Sequence, residues 1–375
     1  MNAVKEFVEN NRQLMLDTHR ELCVIPAPSH MEHRRAAYCK QWLENIGAQG
    51  VYIDEALNVI FPLNAEGSNE LTVFAAHTDT VFPDLEPMPY TDDGEKIHCP
   101  GAADDTASVA VLLVLAKYCV EKQLTPPKGM LFVMNSCEEG LGDLKGSKQL
   151  FKDYAGRIAS FITFDGNMTH IVQRSVGSHR YEVEVITPGG HSFGKFGAPN
   201  AIAHLAQMVS EIYKLEVPQK ENTRTTYNVG TISGGTSVNT IAQNAKMLCE
   251  YRSDDPECLA MMEAAFMKIF EAARQESVQV KVTKVGDRPC GNVAEEKLDA
   301  LKKVVVPIVE EAIGTEVQLS SGSTDCNIPH SMGIPALCVG VDIHEGTHTR
   351  QEWVDKASMI TGTELAIKLA QALSK

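Results

Sequence analysis

No Cys-x-x-Cys spacing occurs among the ten cysteines of this 375-residue chain, no long run of Lys and Arg appears, and no apolar stretch approaches bilayer length. A helix that crosses a membrane needs about 18 or more consecutive apolar residues, so a membrane span is excluded. Scattered cysteines exclude a disulfide framework and a cysteine-rich zinc knuckle; they read as reduced, partly buried thiols. The formal net charge is -15. Without basic runs, that charge argues against a nucleic-acid partner and against an anionic membrane surface. The start, "MNAVKEFVENNRQLMLDTHREL", has charged residues at helical spacing and lacks the apolar core of a signal peptide. Together these absences predict a soluble, cytoplasmic protein whose partner is a small substrate or a cation.

What is present is ordinary globular composition, with 43% hydrophobic and 22% charged residues. The length predicts two or three compact units. Up to about residue 170, helical and strand signals alternate. Amphipathic helices are expected near 3–22 and 33–46, and apolar strands at "LTVFAA" (71–76), "GMLFVMN" (129–135) and "ASFITF" (159–164). Between the first two strands, "TASVAVLLVLAKYCVEK" reads as a helix opened by Asp104, Asp105 and Thr106. Unpatterned apolar strands separated by helices predict a mostly parallel sheet covered on both faces.

After about residue 176 the texture changes. "HRYEVEVIT" (179–187) and "AKMLCEYRS" (245–253) alternate apolar and polar residues, with helical segments near 199–215 and 256–276. From about 288 the first texture returns, with a helix at 296–313, a strand "ALCVGVDI" (336–343) and a last helix from about 357. The fold expected is therefore α/β, with a mostly parallel sheet flanked by helices and an inserted α+β domain. Residues 1–176 and 287–375 form the larger domain and 177–286 the insert.

"VMNSCEEGLG" (133–142) raises the question of chemistry, because an apolar strand runs into the adjacent carboxylates Glu138 and Glu139. Like charges this close repel unless a cation or solvent intervenes. In a parallel sheet, ligands gather at the carboxyl ends of strands. The strand 71–76 is followed by His77 and Asp79, the strand 129–135 by Glu138 and Glu139, and the strand 159–164 by Asp165. Asp104 and Asp105 open the intervening helix, and a late loop, "HEGTHTRQEW", offers His344 and His348. Each piece alone reads as a loop or a helix cap. Jointly, imidazole and carboxylates suit zinc, cobalt or manganese, and so many donors fit two ions sharing a carboxylate.

"AHTDTV", "GAADDT", "NSCEEGLG", "FDG", "GGHSFG", "GGTSVNTIA", "SGSTDCNIP" and "THTRQEW" resemble, in order and spacing, the co-catalytic zinc exopeptidases and amide hydrolases. That family includes peptidase T (aminotripeptidase), carboxypeptidase G, the aminoacylases and the acetylornithine and succinyl-diaminopimelate deacylases. The resemblance covers essentially the whole chain. It implies two divalent metal ions, zinc or else cobalt or manganese. His77 and Asp165 would hold one, Glu139 and His348 the other, and Asp104 would bridge them. Asp79 would orient His77, and Glu138 would act as general base toward a hydroxide bridging the metals. The Asp104–Asp105 peptide bond is expected to be cis.

In the insert, the resemblance gives His191 the task of polarising the oxyanion, in related dimers from the neighbouring subunit. Asn239 and Arg252 resemble receivers of a substrate carboxylate, Arg252 reading equally as a strand-end ion pair. Gly322 and Ser323 would line the substrate backbone. The insert would act as a lid and dimerisation surface, closing about hinges near 176 and 287, and the protein would be a homodimer.

The function implied is amide hydrolysis on short peptides, with an N-acyl-amino-acid deacylase as alternative and a non-catalytic metal-binding homologue as a remoter one. Asp at position 165 is the residue of the tripeptidase-like group, where many deacylases carry Glu. Thr106 and Ala107 replace a Lys-Gly pair found in many relatives. Cys137 adjoins the glutamates and reads as a wall-lining thiol, His98 and His344 flank ligand loops and read as outer supports or solvated side chains rather than spare ligands, and "GGTSVNT" lacks the Gly-x-Ser-x-Gly elbow of a serine hydrolase.

Overall fold

Successive residues of a strand point to opposite faces, and a strand buried on both sides must feed two cores. In the computed structural model, which describes residues 3–374, the strand Leu71–His77 does this. Phe74 and Ala76 join one hydrophobic cluster while Leu71, Val73 and Ala75 join another. Met130–Asn135 divides likewise, Phe132 and Met134 to the first cluster and Leu131 and Val133 to the second. The first cluster also takes the buried faces of helices Ala3–Cys23, Thr106–Glu121 and Lys356–Leu373. Phe74 lies 6.1 Å from Phe132 and 6.0 Å from Phe164, ring centre to ring centre, so aromatic packing crosses three neighbouring strands on this face.

The chain forms two compact units. One comprises everything up to Ser175 together with Val293 onward; the other is Val176–Asn292. The first contains an eight-stranded sheet in which Met130–Asn135, Leu71–His77, Ile158–Phe164 and Ala336–Val339 run mutually parallel. Val59–Leu63 and His170–Ser175 flank these four strands antiparallel to their neighbours. Gln318–Gly322 pairs parallel with His170–Ser175, beyond the parallel core. The sequence reading anticipates the parallel core and misses these flanking strands.

It also overextends one strand. The segment expected at 336–343 is a strand only at Ala336–Val339. Gly340 approaches the backbone of Asn167 so closely that an added Cβ would lie 2.2 Å from its carbonyl carbon. The chain there is held by the turn after Phe164 and not by a neighbouring strand.

In Val176–Asn292, four antiparallel strands stand in the order Thr225–Gly234, Asn244–Ser253, Gly177–Ile186 and Gln279–Arg288. Helices Ala201–Ile212 and Pro256–Ala272 contribute to the core beneath one face. Each begins on a capping side chain. Asn200 accepts from the N–H of Ile202, and Asp255, followed by Pro256, accepts from that of Cys258. Such caps contribute about 1 kcal/mol each. Among the described residues, no helix is long and apolar enough to cross a membrane.

Candidate metal centre

The four parallel strands deliver their carboxyl ends to one edge of the sheet. His77 closes its strand, Glu138 and Glu139 follow Asn135, and Asp165 follows Phe164. Asp104 and Asp105 precede helix Thr106–Glu121, and the peptide bond between them is cis.

Asp104 stands between two imidazoles. Its Oδ1 is 3.1 Å from His77 Nε2, and its Oδ2 is 3.0 Å from His348 Nε2. His348 Nε2 also lies 3.0 Å from Glu139 Oε1. Donor atoms of His77, Asp104 and Glu139 fall within 4.8 Å of one another, and so do those of His77, Asp105 and Asp165. Asp105, given no ligand role from the sequence, accepts the backbone N–H of His77 through Oδ2 at 2.9 Å. Its Oδ1 is buried without a hydrogen-bond partner.

The electrostatics reflect crowded anions: His77 and the carboxylates are largely buried, while His348 stays open to water. Burial, then the charge of Asp104, pushes Asp165 up to about 7. Burial also raises Glu139, against the hydrogen bond from His348. Hydrogen bonds to Asp104 and Glu139 hold His348 up at about 10. For His77, burial opposes the charge, but Asp105, Asp104 and Asp79 outweigh it and keep its pKa well above the ordinary histidine value. Among the described residues, no Lys or Arg forms an ion pair with Asp104, Asp105, Glu139 or Asp165. Oxygen and imidazole donors, a cluster of carboxylates and a buried carboxylate oxygen without a partner fit divalent cations.

Asp79 is fully buried. It accepts from the backbone N–H groups of Glu138 at 2.9 Å and Glu139 at 3.0 Å, and from Ser29 Oγ at 2.6 Å. His77 Nδ1 lies 3.1 Å from its carbonyl oxygen and 3.5 Å from its carboxylate. Glu138 is itself buried.

Several supports escape sequence reasoning. Glu352 accepts three backbone N–H bonds from the turn that carries Asp104. Arg35, buried, donates to the carbonyl of Thr78 and to Thr106 Oγ1. Asp325 accepts from Asn135 Nδ2 and Ser147 Oγ, which brings the segment after Gly322 and Ser323 against the end of strand Met130–Asn135. Asp325 and Glu352 lie inside the motifs "SGSTDCNIP" and "THTRQEW"; only their burial distinguishes them from ordinary surface acids.

The remaining predicted residues lie in the other unit. His191 and Asn239 come together there: Gly190–His191 pairs with Thr240–Ile241, and the N–H of Ser192 donates to the carbonyl of Asn239 at 2.9 Å. Arg252 is not among their partners. It sits eight positions along the strand that begins at Asn244, roughly 27 Å from that residue at strand spacing, and its guanidinium clasps Glu250 at 2.8 and 3.0 Å. Near the carboxylate cluster, Cys137 packs beside His30 and Glu32, and burial with the Glu32 charge pushes its thiol up to about 12. His98 pairs with Asp93, and His344 with Asp342.

The structure is similar to that of a tripeptidase from Staphylococcus aureus, with TM-score 0.77 and 23% identity, covering 97% of this chain and 99% of that one. It is also similar to aminopeptidase PepT from Bacillus cereus, with TM-score 0.76 and 21% identity over 97% of this chain and 99% of that one. In sequence it is 24% identical over 347 residues to a putative succinyl-diaminopimelate desuccinylase of Mycobacterium tuberculosis, covering 91% of this chain and 93% of the relative. The profile of peptidase family M20/M25/M40 matches residues 73–372. With that match spanning most of its length, the chain belongs to peptidase family M20/M25/M40, whose members hydrolyse amide bonds.

Proposed function

We propose that this chain is a dinuclear metal-dependent exopeptidase acting on short peptides with a free amino terminus. The observation that carries the reading is Asp104, whose two carboxylate oxygens face different imidazoles, His77 at 3.1 Å and His348 at 3.0 Å. A carboxylate so placed can serve two ions at once. Asp165 would complete the His77 side and Glu139 the His348 side. Bound there, divalent ions, zinc in the first instance, would supply Lewis acidity to the scissile carbonyl and favour ionisation of water.

The chain's own residues supply the rest. Glu138 takes the proton of the attacking water and passes it to the leaving nitrogen. Asp79 holds both glutamates by their backbone N–H groups and steadies His77, so the base and two ligands share one anchor. His191 would stabilise the oxyanion, and Gly322 and Ser323 would line the substrate backbone.

Asn239 and Arg252 are candidates for the substrate carboxylate. Arg252 lies near the far end of the strand that begins at Asn244, five residues after Asn239, so a single carboxylate would meet both most readily if they came from different subunits. That separation supports a homodimer in which Val176–Asn292 serves as lid and dimerisation surface; sedimentation mass tests it. The tripeptidase likeness and Asp165 favour peptides, while the desuccinylase likeness favours N-acyl amino acids.

A matched panel separates the two: di- and tripeptides with free amino termini beside N-acetyl and N-succinyl amino acids. Cleavage of the peptides is expected. Preference for the acylated compounds would make the protein a deacylase, and silence on both would leave a non-catalytic metal-binding homologue.

A further inference from the structure

Glu352 is a carboxylate with 1% exposure whose hydrogen-bond partners are all backbone. Its Oε1 accepts from Ala103 N–H at 2.8 Å and Asp104 N–H at 3.0 Å, and its Oε2 from Gly101 N–H at 3.0 Å. Removing a carboxylate from water costs several kcal/mol unless such bonds replace the solvent. Here three donors of a single turn do so, and that turn carries Asp104. Glu352 itself stands four residues after His348, on the loop that brings this imidazole to the other oxygen of Asp104. The two loops are joined again where the N–H of Cys99 donates to the carbonyl of Glu352 at 3.2 Å.

The turn has little freedom otherwise. Gly101 has φ +74°, and a Cβ there would lie 2.8 Å from Thr80 Cγ2, so the turn is pressed against the segment that follows His77 and Asp79. With Thr80 behind it and Glu352 gripping its N–H groups, the Asp104 backbone is fixed with respect to both His77 and His348. A movement of the His348 loop is passed to Asp104 through a side chain that touches neither imidazole.

We propose that Glu352 is a positioning residue that fixes Asp104 between His77 and His348, so that the two metal positions fill as one unit and not independently. The proposal rests on the two-metal reading above. Without Glu352, three N–H groups lose their acceptor, the turn relaxes, and Asp104 can settle on one imidazole at the expense of the other. Loss of an outer partner of this kind commonly weakens metal affinity 10–100-fold.

The test compares the full chain with Glu352→Gln, an isosteric change that places an amide N–H2 where one N–H now finds its acceptor. Zinc binding is followed by calorimetry and cobalt binding by visible absorption, with metal-free circular dichroism as the control for folding. The wild type is expected to take up two equivalents in one transition. Glu352→Gln is expected to bind zinc 10–100-fold more weakly, in two separable steps, with a cobalt spectrum at one equivalent unlike that at two. Loading of a folded Glu352→Gln in one transition of wild-type affinity would overturn the proposal and leave the two-metal reading intact. Absence of metal uptake by the wild type would overturn that reading and this proposal with it.

If the variant does not fold, amide hydrogen exchange in the metal-free wild type decides. Slow exchange at Gly101, Ala103 and Asp104 is expected, since Glu352 holds them before any ion arrives. Fast exchange there would overturn the proposal.

Discussion

Asp79 Oδ1 accepts the backbone N–H of Glu138 at 2.9 Å and lies 3.5 Å from Nδ1 of His77. One buried carboxylate thus joins the residue proposed to move the proton to a residue proposed to hold a metal. Asp79→Asn keeps the shape but puts an amide donor against N–H groups that need an acceptor. The variant is expected to retain metal and to lose about 10–100-fold in kcat, with KM little changed. Steady-state kinetics beside metal content checks this.

Glu138→Gln should fold, bind metal as the wild type does, and lose about 100- to 10,000-fold in turnover, the range ascribed to a positioned acid–base group. Retention of substantial activity would remove Glu138 from the mechanism and leave the adjacent glutamates without separate tasks.

Chelation is expected to lower the melting temperature. The cluster of Asp104, Asp105, Glu139 and Asp165 contains raised carboxyl groups whose charges oppose one another. An ion that binds only the folded state stabilises it by about 4 kcal/mol when present at roughly a thousand times its Kd. Thermal scans with chelator and with excess zinc should therefore differ by several degrees; superimposable scans would argue against a metal in this cluster.

A pH effect on stability is expected from His19, which is fully buried beneath the Asp104 turn with Nε2 2.7 Å from the carbonyl of Ala102. Burial, against that hydrogen bond, lowers its pKa from 6.5 to about 4. The unfolded chain therefore binds the proton first as the pH falls. Stability from this group is complete above about 6.5 and is lost through the window down to about 4, a change of about 3 kcal/mol. His19→Gln keeps an N–H donor and cannot titrate there. The stability difference between wild type and variant, from urea midpoints of chelated protein, should shift by that amount across the window.

Cys137→Ser should leave hydrolysis nearly unchanged. The thiol adjoins Glu138 and contacts His30, but it is 1% exposed and pushed up to about 12 by burial and Glu32. A nucleophilic cysteine needs a lowered pKa and access. Loss of activity in the serine variant would reopen thiol chemistry.

Much of this architecture is legible in the sequence because strands buried on both faces must be apolar throughout, as "LTVFAA" and "MLFVM" are. The flanking strands His170–Ser175 and Gln318–Gly322 are less so, since exposed or half-exposed residues such as Gln173, Arg174 and Ser321 give no such run. At the candidate site, His348 lies in a loop and is pointed to by the family resemblance, whereas His77, Asp104 and Glu139 are legible because each lies beside a recognisable element. Glu352, Asp325 and Arg35 are not: their contacts are made to backbone or to residues far along the chain, and nothing local tells a buried, satisfied charge from a solvated one. Arg252 is the converse case, because its ion pair with Glu250, two residues back on the same strand, is a local contact of the kind the sequence offers.

The most direct measurement titrates metal-free protein with zinc while hydrolysis of a free-amino tripeptide is recorded. The account predicts no turnover without metal, full turnover at two equivalents per chain, and turnover lower by about 100-fold or more at every loading in Glu138→Gln. Full activity in the metal-free protein, or turnover complete at one equivalent, would contradict it.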